Sequence, residues 1–242
     1  MTQPRFIHLR LHSEYSITDG IVRVDDAVAR AVADFMPALA MTDLCNLFGM
    51  VKFYKTARGK GVKPLIGSDL WVTNEAERDK PARVLLLAQS RDGYRKDWLV
   101  ALDGGTTGLI ALSGGLSGDI GAALLQDNAA QAERLAADWA KLFPARFYIE
   151  LQRTGTPQSE AYTRAAAALS ARLKLPAVAT HPVQFLAPED HTAHEARICI
   201  AEGYVMSDQR RPRNFTPESY FLTQEEMAKR FEDYPQALAN SV

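Results

Sequence analysis

Short apolar runs that end on a polar residue and give way to a helical pattern recur along this chain, and that recurrence limits the fold most. Pro37–Thr42 is followed by Asp43, Val62–Gly67 leads to Asp69 and then Leu70–Val72, and Arg83–Ala88 is the cleanest buried run. Leu109–Leu112 ends in Ser113-Gly114-Gly115, Phe147–Leu151 carries Glu150 near its end, and Ala177–Thr180 delivers His181. Between them lie helical segments. Val24, Ala27, Val28, Ala31 and Val32 keep helical spacing behind Asp25 and Asp26, acids that suit the first turn. Leu47–Thr56, Asp119–Leu125, Asn128–Leu142 and Ser159–Leu173 continue the series, and Pro188–Glu202, Thr223–Phe231 and Pro235–Ser241 end it. Strand then helix, about six or seven times over, predicts a parallel α/β architecture. So many units favour a barrel or distorted barrel, with a doubly wound open sheet as the alternative.

The stretch from Phe6 to Gly20 opens as an apolar–polar alternation, the period of a half-buried strand, and then turns into Ser, Glu, Thr, Asp and Gly, a loop composition. It brings Arg10, His12 and Asp19 to a strand-end rim, where α/β proteins place their sites. Asp43, Asp69, Arg83, Glu150 and His181 would converge on the same rim of a barrel. Imidazoles and carboxylates gathered there would be metal ligands; taken singly, each also fits a satisfied loop or cap residue.

A formal charge of −1 marks no surface-wide nucleic-acid binder, although a local basic patch is compatible with it. Cys45 and Cys199 are far apart in apolar settings and read as buried, reduced thiols. No signal-peptide pattern opens the chain, and no apolar run nears the roughly 20 residues needed to span a bilayer. The expectation is a soluble cytoplasmic protein with no membrane partner. Gly104-Gly105 and Gly114-Gly115 match no dinucleotide or Walker phosphate loop. Gln209–Asn214 is basic, either a solvated loop or a contact for phosphate or an acidic partner, with Met206 and Phe215 placed to pin it. Gln89–Gly108 is the weakest stretch, with one helical piece around Trp98–Val100.

At the opening stretch, Asp43 and Asp69, the sequence resembles the PHP (polymerase and histidinol phosphatase) domain family, in the branch that begins bacterial DNA polymerase III alpha subunits. Phe6–Gly20, Pro37–Tyr54, Gly61–Asp69, Gly108–Gly118 and Arg210–Tyr220 carry the likeness. The resemblance implies a distorted (β/α)7 TIM-like barrel over residues 1–242, with about 203–242 an extension leading toward a polymerase body. It also implies a family site of two or three metals held by His, Asp, Glu and Cys, which activates water for phosphate-ester hydrolysis.

Carried over residue by residue, that ligand set is mostly missing. The first His of a His-x-His pair is Arg10, while His12 and Asp19 fit. The His after Thr-Asp is Leu44, and the Glu position holds Asp69. The His opening the fourth strand is Arg83, and the Cys after Ser-Gly is Gly115. The closing Asp-x-His falls on Pro182 and Gln184.

Only His12, Asp19 and Asp69 remain as weak residual metal ligands, and no metal or cofactor is expected in this domain. The expectation is a vestigial, hydrolytically inactive pocket in which Arg10 and Arg83 stand in for lost cations. Arg10, His12 and Arg83 are the phosphate-binding candidates. The relatives also carry some twenty-odd further residues where Arg95-Lys96 bridges Tyr94 to Asp97.

By the same resemblance, the partners are the rest of the alpha subunit, whose polymerase body uses Mg2+, and the proofreading exonuclease (epsilon) subunit, with DNA met only through the holoenzyme. Tyr94–Leu102 is the candidate docking neighbourhood. The alternatives are a residual metal-dependent phosphoesterase or pyrophosphatase and a non-catalytic phosphate pocket.

Overall fold

The computed structural model describes residues 5–73, 78–95, 105–211 and 213–242. Six strands pair in sequence order: β1 (Ala38–Met41), β2 (Lys63–Val72), β3 (Ala82–Ala88), β4 (Leu109–Leu112), β5 (Phe147–Gln152) and β6 (Ala177–Thr180). Helices α1 (Val24–Ala33), α2 (Met50–Gly59), α4 (Asp119–Leu125), α5 (Ala129–Leu142), α6 (Pro157–Leu173), α7 (His191–Glu202), α8 (Gln224–Arg230) and α9 (Pro235–Ala239) fall close to where the periodicity puts them, while the short α3 (Arg91–Tyr94) was not expected. The helical piece expected around Trp98–Val100 lies outside the described residues. No described helix is long and apolar enough to cross a membrane.

One expectation changes. The pairs β1–β2, β4–β5 and β5–β6 are parallel, but β3 runs antiparallel to both β2 and β4. The connection between β2 and β3, residues 73–81, is shorter than the dozen or so residues a parallel crossover needs. Reversal has a useful result: Arg83, near the start of β3, arrives at the rim that the other strands reach with their C-terminal ends.

The opening stretch closes the curled sheet. Ala40 N–H donates to the His8 carbonyl (2.9 Å) and Thr42 N–H to that of Leu11 (2.9 Å), while His12 N–H donates to the carbonyl of Val183 beyond β6 (3.0 Å). From His8 to Leu11 the opening stretch advances one residue more than β1 does between Ala40 and Thr42, a bulge that reverses which side chains point inward. Its alternation does not separate core from solvent, since Phe6 through Ser13 are all buried. Ile7 and Leu9 join an inner cluster with Ala38, Ala40, Leu85, Leu87, Leu112 and Val178, packed by Leu65, Ile110 and Tyr148. Phe6 and Leu11 belong instead to the larger cluster between sheet and helices.

The inner cluster has a period of two along each strand. Continuing that parity to the rim gives Thr42, Asp69, Arg83, Glu150, Gln152 and Thr180. The barrel is thus apolar at one end and polar at the other.

The C-terminal segment packs on the same core: Phe221, Leu222, Met227, Phe231, Ala237 and Leu238 are all in the larger cluster. Thr223 caps α8 in a reciprocal box with Glu226, and Asn240 Nδ2 donates to the Ala177 carbonyl at 2.7 Å.

Candidate functional site

A cleft of about 630 Å³ opens at the polar end of the barrel, and Arg10, His12, Asp19, Asp69 and Arg83 line it together with Leu44, Trp71, Gln152, Pro182 and Gln184. At its floor the Arg10 guanidinium donates from Nη1 to Asp69 Oδ2 (2.6 Å), and from Nε and Nη2 to the two oxygens of Glu150 (3.2 and 3.0 Å). Arg83 Nη1 donates to the same Asp69 oxygen at 2.8 Å and lies over the Trp71 ring, 4.1 Å from its centroid. His12 Nδ1 donates to Asp19 Oδ2 at 2.9 Å, and its Nε2 faces Asp69 Oδ2 at 3.5 Å. Ser16 Oγ donates to the other Asp19 oxygen (2.6 Å), and Thr180 Oγ1 to Glu150 Oε1 (2.8 Å).

Two guanidiniums and one imidazolium therefore face three carboxylates. Burial by itself would raise the Asp69 carboxyl, but the attraction of Arg10, with His12 and Arg83, outweighs it and holds that carboxyl well below its usual range. Burial likewise opposes charge on His12, yet Asp19 and Asp69 together lift its pKa to about 9. Asp19 is lowered in turn, the His12 charge overcoming its desolvation. With no metal beside it, His12 therefore carries its proton at neutral pH.

Two of the eight strand-end candidates lie elsewhere. Asp43 accepts from Ser13 N–H (2.6 Å) and Ser13 Oγ (2.9 Å), bracing the loop after the opening stretch. His181 donates from Nε2 to the Tyr220 carbonyl at 3.0 Å, beside His8, which donates to Leu222 O at 2.8 Å. Glu150 lies beneath the cleft, reached through Arg10. In the basic loop, Arg211 pairs with buried Glu195 and Arg210 with Asp208, while Arg213 lines the cleft. Phe215 stands edge-on to His194 and Met206 sulfur lies 3.6 Å from Cys199 Sγ, the pinning expected. Both cysteines are free; Cys199 is buried, but Cys45 only half so.

Trp71 and Gln152 were missed, though each stands two residues beyond a recognised inward residue, Asp69 and Glu150. Gln152 matters most. Its amide donates to Glu150 Oε1 (3.3 Å) and Thr180 Oγ1 (3.1 Å) and fills the space over Gly115, where a Cβ would come within 2.2 Å of Gln152 Oε1. Gly115 also has φ +59°, which disfavours a side chain. Gly115→Cys is therefore expected to destabilise the chain by about 1–3 kcal/mol, with Gln152→Ala in the same chain recovering part of the loss. Urea midpoints at constant m-value check this.

A barrel curled from these strands, with His, Asp and Glu positions on one rim, is the setting of a known family: PHP domain matches residues 8–102 and 95–154. The chain belongs to the PHP domain family. The match is in two pieces that meet at 95–102, where the shortened connection was expected, although residues 96–104 lie outside the described ones. The chain is 43% identical over 260 residues to DNA polymerase III subunit alpha of Pseudomonas aeruginosa, covering 98% of this chain and 22% of that protein. It is 42% identical over 266 residues to that of Neisseria meningitidis serogroup A (100% and 23%), and 40% over 264 to that of Escherichia coli K12 (100% and 22%). The Neisseria alignment sets 266 positions against 242 residues, leaving at least 24 with no residue of this PHP chain. The chain spans under a quarter of the length of these curated relatives. An amidohydrolase from Chromobacterium violaceum shares the fold, with a TM-score of 0.51 at 14% identity over 92% of this chain and 96% of that one.

Proposed function

We propose that this PHP domain is the N-terminal module of a replicative DNA polymerase III alpha subunit, and that its metal site has been replaced by an ion-pair network. It then acts as a structural platform in DNA replication and carries the proofreading exonuclease subunit. The observation that supports this most is the pair of guanidiniums on one oxygen of Asp69, at 2.6 and 2.8 Å. They supply fixed positive charge of the kind that lost cations would have supplied.

The remaining donors do not fit a metal cluster. His12 Nδ1 is on Asp19, one oxygen of Asp69 is shared by two arginines, and Asp19 is held by His12 and Ser16, which leaves His12 Nε2 and Asp69 Oδ1 as the family donors without a hydrogen-bond partner there, too few for two or three ions. Leu44, Gly115, Pro182 and Gln184 offer no replacement ligand of the family kind. The phosphate reading has less support from Arg10, three of whose five N–H donors are on carboxylates, than from Arg83, whose Nη1 is on Asp69 while its buried Nε has no hydrogen-bond partner among the described residues. Mg2+ chemistry and DNA contact are proposed for the polymerase body that would follow.

Elemental analysis of the purified chain, with a phosphodiesterase assay in added Mn2+ or Zn2+, tests the proposal. The expected result is substoichiometric metal and no turnover above buffer. Two or more metals per chain, or turnover abolished by His12→Ala, would overturn it. Titration with the exonuclease subunit tests the partner.

A further inference from the structure

The outward face of α2 is apolar and cationic at once. Phe53 and Ala57 turn inward, while Phe48, Val51 and Tyr54 are 69%, 56% and 49% exposed along the other side. Val51 and Tyr54 are one turn apart on α2, and Phe48 stands in the turn just before it, three residues from Val51, so the three make one exposed stripe.

Phe48 is held in place rather than loose. Its N–H donates to Asn46 Oδ1 (3.0 Å), and Asn46 Nδ2 is anchored on the carbonyls of Tyr15 (3.1 Å) and Leu44 (3.0 Å). Gly49 lets Tyr15 pack beneath, since a Cβ there would meet its ring at 2.7 Å. An exposed aromatic side chain on a fixed backbone loses little freedom when it is covered.

The charge is one-sided. From Leu47 to Ile66 the chain carries Lys52, Lys55, Arg58, Lys60 and Lys63 and no carboxylate. Lys52 is already paired with Glu14 (2.9 Å) and Asp25 (3.7 Å). The other four are exposed and form no ion pair among the described residues.

We propose that this face docks a protein segment whose apolar side chains cover Phe48, Val51 and Tyr54 and whose Asp or Glu residues meet Lys55, Arg58, Lys60 and Lys63. The assignment rests on the reading above only for the protein that carries the segment, the exonuclease subunit. Charge complementarity fixes the chemistry of the occupant, and the apolar stripe places its anchors. A peptide is favoured over nucleic acid because Val51, an aliphatic side chain on which no base can stack, stands between Phe48 and Tyr54 in the exposed stripe.

The test uses the full polymerase chain and the purified exonuclease subunit. Amide exchange over residues 48–60 should slow only when that subunit is added. Phe48→Ser with Tyr54→Ser should weaken binding roughly tenfold or more. Lys55→Glu with Arg58→Glu should weaken it and flatten its salt dependence. Circular dichroism confirms that both variants fold.

If the wild-type chain binds and both variants bind equally well, this surface is wrong and the partner reading stands. If the wild-type chain does not bind at all, the partner reading falls and takes this inference with it. Slow exchange before the subunit is added would assign the face to the polymerase's own body and overturn the proposal. So would variants that lose binding to an oligothymidylate probe while keeping the exonuclease subunit.

Discussion

Arg10→Met is expected to destabilise the domain by about 3–5 kcal/mol, the cost of leaving buried carboxylates without their cation. Arg10 makes three of the hydrogen bonds at the cleft floor, two to Glu150 and one to Asp69, and all three side chains are almost fully buried. The methionine keeps the length of the stem, so most of the loss is electrostatic and little is packing. Asp69 retains Arg83 at 2.8 Å, but Glu150 retains only the hydroxyl of Thr180 and the amide of Gln152. Arg83→Met should cost less, because Arg83 is more exposed and its one carboxylate keeps Arg10. Chemical denaturation of the two variants gives the order directly. An Arg10→Met loss below about 1 kcal/mol would place the network among ion pairs of no net value. Replacing Arg10, Asp69 and Glu150 together by apolar residues should recover much of the loss, since the penalty belongs to the unpaired charge and not to the missing pair.

The second large effect is a stability optimum near pH 6.5, produced by histidines of opposite sign. Burial holds His8 neutral with a pKa of about 4, against an ordinary value of 6.5, despite its bond to the Leu222 carbonyl. A depressed histidine contributes stability that is present above pH 6.5 and lost as the pH falls toward 4, because the unfolded chain takes up the proton first. His181, also lowered by burial, adds to the same limb. His12, raised to about 9, does the reverse: its contribution is full below pH 6.5 and disappears as the pH rises through 9. Each shift between 6.5 and about 4 or about 9 corresponds to about 3 kcal/mol. Urea midpoints from pH 4 to 10 should fall on both sides, with His8→Asn flattening the acid limb and His12→Asn the alkaline one. A His12→Asn chain that keeps the alkaline slope of the parent would show that His12 is neutral in the folded state.

The strand-end rule used on the sequence selected Asp43 and His181 along with Asp69, Arg83 and Glu150, and only side-chain parity separates them. Counting by two from the buried residues of each run puts Ala38, Ala40 and Thr42 on the inner face and so turns Asp43 out. The same count from Val178 and Thr180 turns His181 out, yet it admits Asp69, Arg83, Glu150 and Gln152. That information was present in the sequence. The direction of β3 was also visible, in a connection too short for a crossover. The bulge in the opening stretch was not: it is set by pairing with β1 and Val183, partners far along the chain. Nor could local pattern place Gln184, which reaches the cleft because its N–H is held by the Ser219 carbonyl at 2.9 Å.

The closure of the barrel by its first residues has a consequence for synthesis. Ile7, Leu9 and Arg10 leave the ribosome well before the Val183 backbone that seats them and the Leu222 carbonyl that holds His8. At about 5–20 residues per second, that separation lasts on the order of ten seconds or more. Over that interval the opening stretch has β1 on one side and no neighbour on the other, and that edge is open to chaperones and to pairing with other chains.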